Sequence, residues 1–360
     1  MRNKIVILLL FLSGFIFGQS VPNTNTFKLS DVSAVVGGIS LSQTFTNSVD
    51  AYFDPTYKGN KDRLSNFRNY TIPSGYASGK YITSVTDGDY IYRSNDYGST
   101  WLQVGSSQIW RGISMDSTGM YQTAVVNGGY IYISDNYGVS WSQQGVSQYW
   151  NDIGVNKFSG VYQTAVCDNG IWTSSDYGLI WTQRLSGVSI NCVFVSPSGQ
   201  YQIAASDPGY IYISTNYGVN WTQITTAGSG NWVGVFVDIN ANSYYGIING
   251  GHLYKSINGG SSWYSVDFNG NTNYYISIIG NSSGDVLAGS TSSEMFFYYS
   301  GGWGPTTNII GGDLKVDCGD GKIIVCCTIG SGYLWKTDNY GSTWTQLESI
   351  SRAWTDIATN

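Results

Sequence analysis

Charge is scarce in this chain: Asp, Glu, Lys and Arg make up 11 % of its 360 residues. Histidine is scarcer still, with His252 the single copy. The five cysteines (Cys167, Cys192, Cys318, Cys326 and Cys327) show no C-x-x-C spacing. One histidine and unpaired spacing leave no donor set for zinc, so no metal and no cofactor is expected. Most of the cysteines sit in apolar strand-like runs, which reads as buried thiols. A Cys167–Cys192 disulfide is the alternative in an exported chain.

Long apolar runs are also missing after the start. Arg2 and Lys4 precede the apolar run Ile5–Phe17, and Gly18 is a small residue ahead of Gln19. This is the pattern of a signal peptide over residues 1–18, with a run too short to span a membrane comfortably. A secreted, cell-surface or periplasmic location follows as an expectation, with no membrane span in the mature chain. Basic clusters are absent too. Residues 71–360 hold ten basic and nineteen acidic residues, a net of −9, against five and four in residues 19–70. Nucleic acid is therefore excluded as an expected partner, because phosphate binding needs clustered Lys and Arg.

What the chain does have is Gly, Tyr and Trp (46, 29 and 13 residues) in a repeat. The pattern reads SNDYGSTW at Ser94–Trp101, SDNYGVSW at Ser134–Trp141 and SSDYGLIW at Ser174–Trp181. It returns as STNYGVNW at Ser214–Trp221, SINGGSSW at Ser256–Trp263 and TDNYGSTW at Thr337–Trp344. The first four copies start 40 residues apart. A fixed period of this length marks a repeat architecture.

The unit from Trp150 holds four strand signals: WNDIGV, VYQTAVC, IWTSS and WTQR, with the motif joining the last two. Four strands in roughly 40 residues make one propeller blade. First-strand starts fall at Trp110, Trp150, Ile190, Trp232, Tyr275, Leu314 and Trp354. The expected fold is all-β: a seven-bladed propeller over residues 71–360. The last strand, from Trp354, joins the first blade and closes the ring. The sixth unit is degenerate, with FFYYSGGW at Phe296–Trp303. Residues 19–70 lie outside the repeat and read as a small N-terminal or capping module, with FKLSDVSAVV and SQTFTNSVDAYF as short helical pieces.

The motif S/T-x-D/N-x-G-x-S/T-W resembles the Asp-box, or bacterial neuraminidase repeat. Propellers of that superfamily include sialidases, xyloglucan-cleaving glycosidases, sortilin-type receptors and photosystem II assembly factors. Physically, Asp96, Asn136, Asp176, Asn216, Asn258 and Asn339 can accept hydrogen bonds from the turn's backbone N–H groups. Gly98, Gly138, Gly178, Gly218, Gly260 and Gly341 can supply positive φ. The motif tryptophans bury apolar area. The resemblance implies that these turns are structural and face away from any ligand.

A site is then expected on the opposite face, where strand four leads to the next strand one and strand two turns into strand three. There Trp110, Trp150, Trp232 and Trp354 either pack between blades or offer a platform for a sugar. Arg111, Asp152 and Asp356 break the otherwise neutral loops, and Tyr149 and His252 join them as ligand-binding candidates. The resemblance implies for a sialidase three Arg, a Tyr–Glu pair and an Asp. Residues 71–360 hold four Arg (Arg93, Arg111, Arg184, Arg352) and two Glu (Glu294, Glu348), with no FRIP-type segment, which argues against that activity. A glycosidase needs two carboxylates across the scissile bond. Asp152 and Asp356, or Asp168, Asp207 and Asp313, are the available set. The reading preferred is a non-catalytic recognition propeller for a glycan or cell-surface protein. A protein-docking scaffold and a glycoside hydrolase are the alternatives.

Overall fold

The computed structural model describes residues 79–266, 273–280, 286–291, 295–299, 302–307, 312–316, 324–328, 330–339 and 342–360. The expected signal peptide, the N-terminal module and its helical pieces, Cys318, Gly341 and Glu294 lie outside them. The described residues fall in one compact unit, Gly75–Asn360. They form strands and turns, and no helix occurs among them.

The first strands are β1 (Ile82–Ser94), β2 (Leu102–Met115), β3 (Gln122–Ser134), β4 (Ser142–Val155), β5 (Gln163–Cys167), β6 (Gly170–Ser174) and β7 (Thr182–Ser186). β4 runs unbroken from one repeat unit into the next. Its first half pairs with β3 (Tyr132 opposite Gln143), and its second half pairs with β5 (Ile153 opposite Ala165). β2 does the same between β1 and β3. Next come β8 (Cys192–Val195), β9 (Gln202–Ala205), β10 (Ile211–Ser214) and β11 (Thr222–Ile224), a four-stranded antiparallel meander.

The pattern continues with strands from Trp232, Asn273 and Gly312. In the degenerate sixth unit Met295–Tyr299 still pairs with Gly302–Thr307, so the hairpin survives without the motif. The C-terminal strand Arg352–Thr359 pairs antiparallel with β1, Ile82 opposite Thr359 and Val85 opposite Asp356.

Burial falls from the second strand to the fourth. β9 (QIAA) is buried throughout, whereas β11 (TQI) is largely exposed. Small apolar residues occupy the second strands because both faces of the sheet are covered by neighbours. Hydroxyls and amides pin successive sheets together. Thr83 donates to Gln122 (2.9 Å), Thr123 to Gln163 (2.7 Å) and Thr164 to Gln202 (2.5 Å). Each Gln amide in turn donates to a turn carbonyl, from Gly119, Gly160 or Gly199. Tyrosines stack across the same boundaries: Tyr81 on Tyr137, Tyr121 on Tyr177 and Tyr162 on Tyr217, with centroids 4.4–4.7 Å apart.

Cys167, Cys192, Cys326 and Cys327 are buried and form no disulfide among the described residues. Cys167 packs with Trp150 in one apolar cluster, whereas Cys192 packs with Trp232 in another. They face different layers between sheets, so the Cys167–Cys192 bridge is corrected to two buried thiols. Burial pushes the Cys167 thiol up.

Candidate ligand face and the hairpin motif

The motif closes on itself. In the first copy Ser94 accepts from the Gly98 N–H (2.9 Å) and donates to Asp96 Oδ1 (2.8 Å). Asp96 Oδ1 accepts from Thr100 N–H (2.9 Å), and Trp101 Nε1 donates to the Gly98 carbonyl (3.1 Å). The backbone-to-carboxylate or carboxamide bond recurs at Asn136, Asp176, Asn216, Asn258 and Asn339, at 2.9–3.0 Å. The described motif glycines have φ from +74° to +88°. The tyrosine before four of them is left-handed as well: Tyr97, Tyr137, Tyr177 and Tyr217 have φ of 61–65°. A bulky residue there is strained. Stacking on the preceding sheet's tyrosine offsets that strain for Tyr137, Tyr177 and Tyr217.

Aspartate and asparagine interchange because the seventh motif residue is often a hydroxyl. Thr100 donates to Asp96 Oδ2 (2.6 Å), whereas Ser140, Ser262 and Thr343 accept from the amides of Asn136, Asn258 and Asn339. A hydroxyl serves either way.

At the opposite end the four candidate tryptophans are buried. Trp110 is 1 % exposed, and Trp150, Trp232 and Trp354 are 0 %. They pack edge-on against Tyr132, Trp172, Tyr254 and Tyr92 respectively. The sugar-platform reading of these four is corrected to packing: each is buried, in edge contact with the third strand's aromatic side chain. Trp232 and Trp354 donate to the Gly209 and Gly332 carbonyls, whereas the indole N–H groups of Trp110 and Trp150 have no hydrogen-bond partner among the described residues.

The carboxylates are also engaged. Asp356 accepts from Ile113 N–H (2.7 Å) and Ile357 N–H (2.8 Å). Asp152 accepts from Val193 N–H (2.9 Å) and Ile153 N–H (2.8 Å). Ile113 and Val193 lie on the first strand of the following unit, an edge whose N–H groups point away from their own sheet. These two aspartates therefore bridge neighbouring edge strands, which removes them as free acid and base. Beside them Thr355 donates to the Trp110 carbonyl, Asn151 to Ile190 and Asn191 to Trp232. Asp168 is bound by Asn151 (2.9 Å) and Ser189 (3.3 Å). Burial pushes Asp207 above the usual carboxylate range. Asp313 lies in the strand Gly312–Val316, opposite Cys327, and not on a loop.

Arg111 does not join the edge-strand pattern. It pairs with Asp87 at 3.7 Å on the surface. Arg352 pairs with Asp89 at 3.6 Å and lies over the Tyr92 ring at 4.1 Å. Tyr92 donates to Asp89 (2.8 Å), and burial, with that bond, pushes its pKa to about 12. Arg93 reaches the other way, to the Tyr137 carbonyl in the second motif, and Arg184 bonds Thr173. His252 is half-buried, edge-on to Tyr254 at 5.9 Å.

The open surface at this end is made by residues other than the tryptophans. Tyr149 is 61 % exposed, and Ile109, Val146 and Tyr130 are also exposed. Ile109 sits opposite Asp87, and Tyr149 opposite Asn127, on ribbons where the expected loops continue the strand pairing. Ile109 and Tyr149 directly precede buried tryptophans. Strand alternation turns them outward, a signal present in the sequence.

No protein-family pattern and no curated protein matches the chain. Among solved structures it is similar to YCF48 bound to D1 peptide, at 16 % identity over 68 % of this chain and 84 % of that one, TM-score 0.52. It is similar to YCF48 from Cyanidioschyzon merolae at 14 % identity over 68 % and 86 %, TM-score 0.51. A third is the GH74 xyloglucanase from Xanthomonas campestris, at 14 % identity, 78 % of this chain and 52 % of that chain, TM-score 0.56. These are propellers. The chain has a β-propeller fold. At such identities the likeness carries the fold alone, and fold does not fix function.

Proposed function

We propose that the chain is a secreted, non-catalytic recognition propeller whose loop face, opposite the hairpin motifs, docks a protein segment. The observation that carries this reading is the exposure of Tyr149, Val146 and Tyr130 on the β3–β4 ribbon and of Ile109 on the β1–β2 ribbon, each ribbon leading into a buried tryptophan. Exposed apolar groups on a rigid scaffold favour a protein surface. The glycan reading keeps Tyr149 as a platform but loses all four tryptophans. The glycosidase reading loses Asp152 and Asp356 to backbone bonds. One solved neighbour has a bound D1 peptide, which agrees with peptide docking on such a fold. The acidic balance of residues 71–360 favours a basic partner, and a scaffold or assembly role would use the same face.

We further read the propeller as seven four-stranded blades closed by the C-terminal strand. Seven apolar clusters among the described residues support this, each drawing on consecutive sheets. Secretion rests on the basic start and apolar run of residues 1–18, and export of a reporter fused after Gln19 checks it.

The test is capture of envelope proteins by the full-length mature protein, beside a Tyr149→Ser/Ile109→Ser variant and a Leu179→Ser/Ile180→Ser control on the motif side. A partner retained by the wild type and the control but lost from the loop-face variant is expected. Retention by all three would refute this face. A glycan-array signal lost with Tyr149→Ser would move the ligand class to carbohydrate.

A further inference from the structure

A cavity of about 670 Å³ lies between the outer strands of the first unit and Gln346–Arg352, the segment leading into the C-terminal strand. It is far larger than a water site and falls in the size range of small-molecule pockets.

The link beside it differs in sequence from the first two links. Trp110 and Trp150 follow Trp101 and Trp141 by nine positions, whereas Trp354 follows Trp344 by ten. In the first two links a glycine with positive φ lies against the next motif tryptophan. A Cβ on Gly105 would meet Trp141 at 4.0 Å, and one on Gly145 would meet Trp181 at 3.6 Å. Counting from Trp344, the matching residue is Glu348. Glu348 and an extra residue stand in this link, Leu347 keeps it against Trp101, and the cavity lies beside that contact.

Its chemistry is mixed and balanced. Eight of the eleven lining residues carry a hydroxyl, amide, carboxylate or guanidinium, including Thr100, Gln103, Gln346, Glu348 and Arg352. One carboxylate and one guanidinium give no net charge. Arg352 is already matched by Asp89, so an anion gains little. Glu348 Oε1 accepts from Ile350 N–H (3.1 Å), which fixes the carboxylate in the wall. Trp101 is half-buried, with its Nε1 occupied by the carbonyls of Gly98 and Leu347 (3.2 Å), so what it offers a ligand is ring carbon. Amides and a carboxylate that can take vicinal hydroxyls, beside an aromatic that takes C–H groups, suit a sugar ring.

We infer that this seam between the last unit and the first is a binding site for a neutral saccharide, separate from the loop face and independent of its proposed role. The experiment is titration calorimetry and saturation-transfer NMR on the full-length mature protein. The probes are cello-, malto-, xylo-, manno- and N-acetylchitotetraose, with tetragalacturonate as the anionic comparison. At least one neutral tetrasaccharide is expected to bind. Gln103→Ala, at an exposed position, and Glu348→Gln, which keeps the shape, are each expected to weaken binding about tenfold at unchanged melting temperature. Glu348→Gly, which introduces the residue found in the first two links, is expected to abolish it. The inference is overturned by no binding at about 10 mM, by preference for tetragalacturonate, or by binding that survives all three seam variants. Loss with Tyr149→Ser instead would place the sugar on the loop face and also overturn it.

Discussion

Two acidic side chains respond to pH with opposite sign. Asp96 is held below the usual carboxylate range, first by the Thr100 hydroxyl. Its contribution is present above the unfolded-state value and is lost as pH falls through the depressed folded one. Asp116 is 2 % exposed, and burial pushes it up against the pull of Thr118, Tyr121 and Lys157. The folded state then prefers it protonated, and stability is lost as pH rises through its raised value. Asn156 fills the matching turn one unit later, accepting from Tyr162 N–H (2.9 Å) as Asp116 accepts from Tyr121 N–H (3.1 Å). Asp116→Asn should therefore raise stability at pH 7 by about 1 kcal/mol, roughly 2–4 °C, and the gain should vanish in acid. Melting curves from pH 4 to 8 check this, and a loss at pH 7 would refute it.

The motif's serine was harder to see than its Asp or Asn. Side chains that cap turns are legible from residue type, but a hydroxyl that accepts at Gly and donates to Asp shows only once the turn is folded. Ser134→Ala should cost about 1–3 kcal/mol by leaving the Gly138 N–H unpaired, whereas Asn136→Asp should fall within about 0.5 kcal/mol near neutral pH. Chemical denaturation of both variants decides.

Within elements, the antiparallel order of the strand segments was legible because each unit repeats turn chemistry at fixed spacing, whereas their merging into long strands such as β2 and β4 was not. What the repeat could not decide was the use of its recurring first-strand tryptophan. Packing and sugar stacking place the same residue at the same position, and only the covering residue (Tyr92, Tyr132, Trp172 or Tyr254) separates them. The aspartates misled for a related reason. Asp152 and Asp356 stood out against neutral neighbours, yet they sit on edge strands whose partners' N–H groups need an acceptor. Asp356→Ala should destabilise by about 1–3 kcal/mol by stripping the acceptor from Ile113 N–H. Asp356→Asn, which keeps one oxygen, should lose less. If hydrogen exchange at Ile113 is unchanged in Asp356→Ala, the bridge is not holding that edge.

At the scale of the molecule, the decisive element is the strand Arg352–Thr359. It pairs with β1 and brings Trp354 and Ile357 into a cluster with Ile82, Tyr92, Val325, Cys327 and Leu334. Its loss would bare the edge of β1 and the Val325–Cys327 layer together. Removal of a buried Trp alone costs about 3–5 kcal/mol, and whole domains hold only about 5–15 kcal/mol. Deletion of Trp354–Asn360 should therefore unfold or aggregate the protein, since a bared edge invites pairing with other chains. Trp354→Ala, which keeps the strand, should instead give a folded protein with a lower melting temperature. The two variants separate closure from packing. A deleted chain that melts with the wild type would mean that the first and last units hold without this strand, and the closed seven-blade ring would fall. A deleted chain that aggregates while Trp354→Ala remains monomeric would assign the effect to the exposed edge.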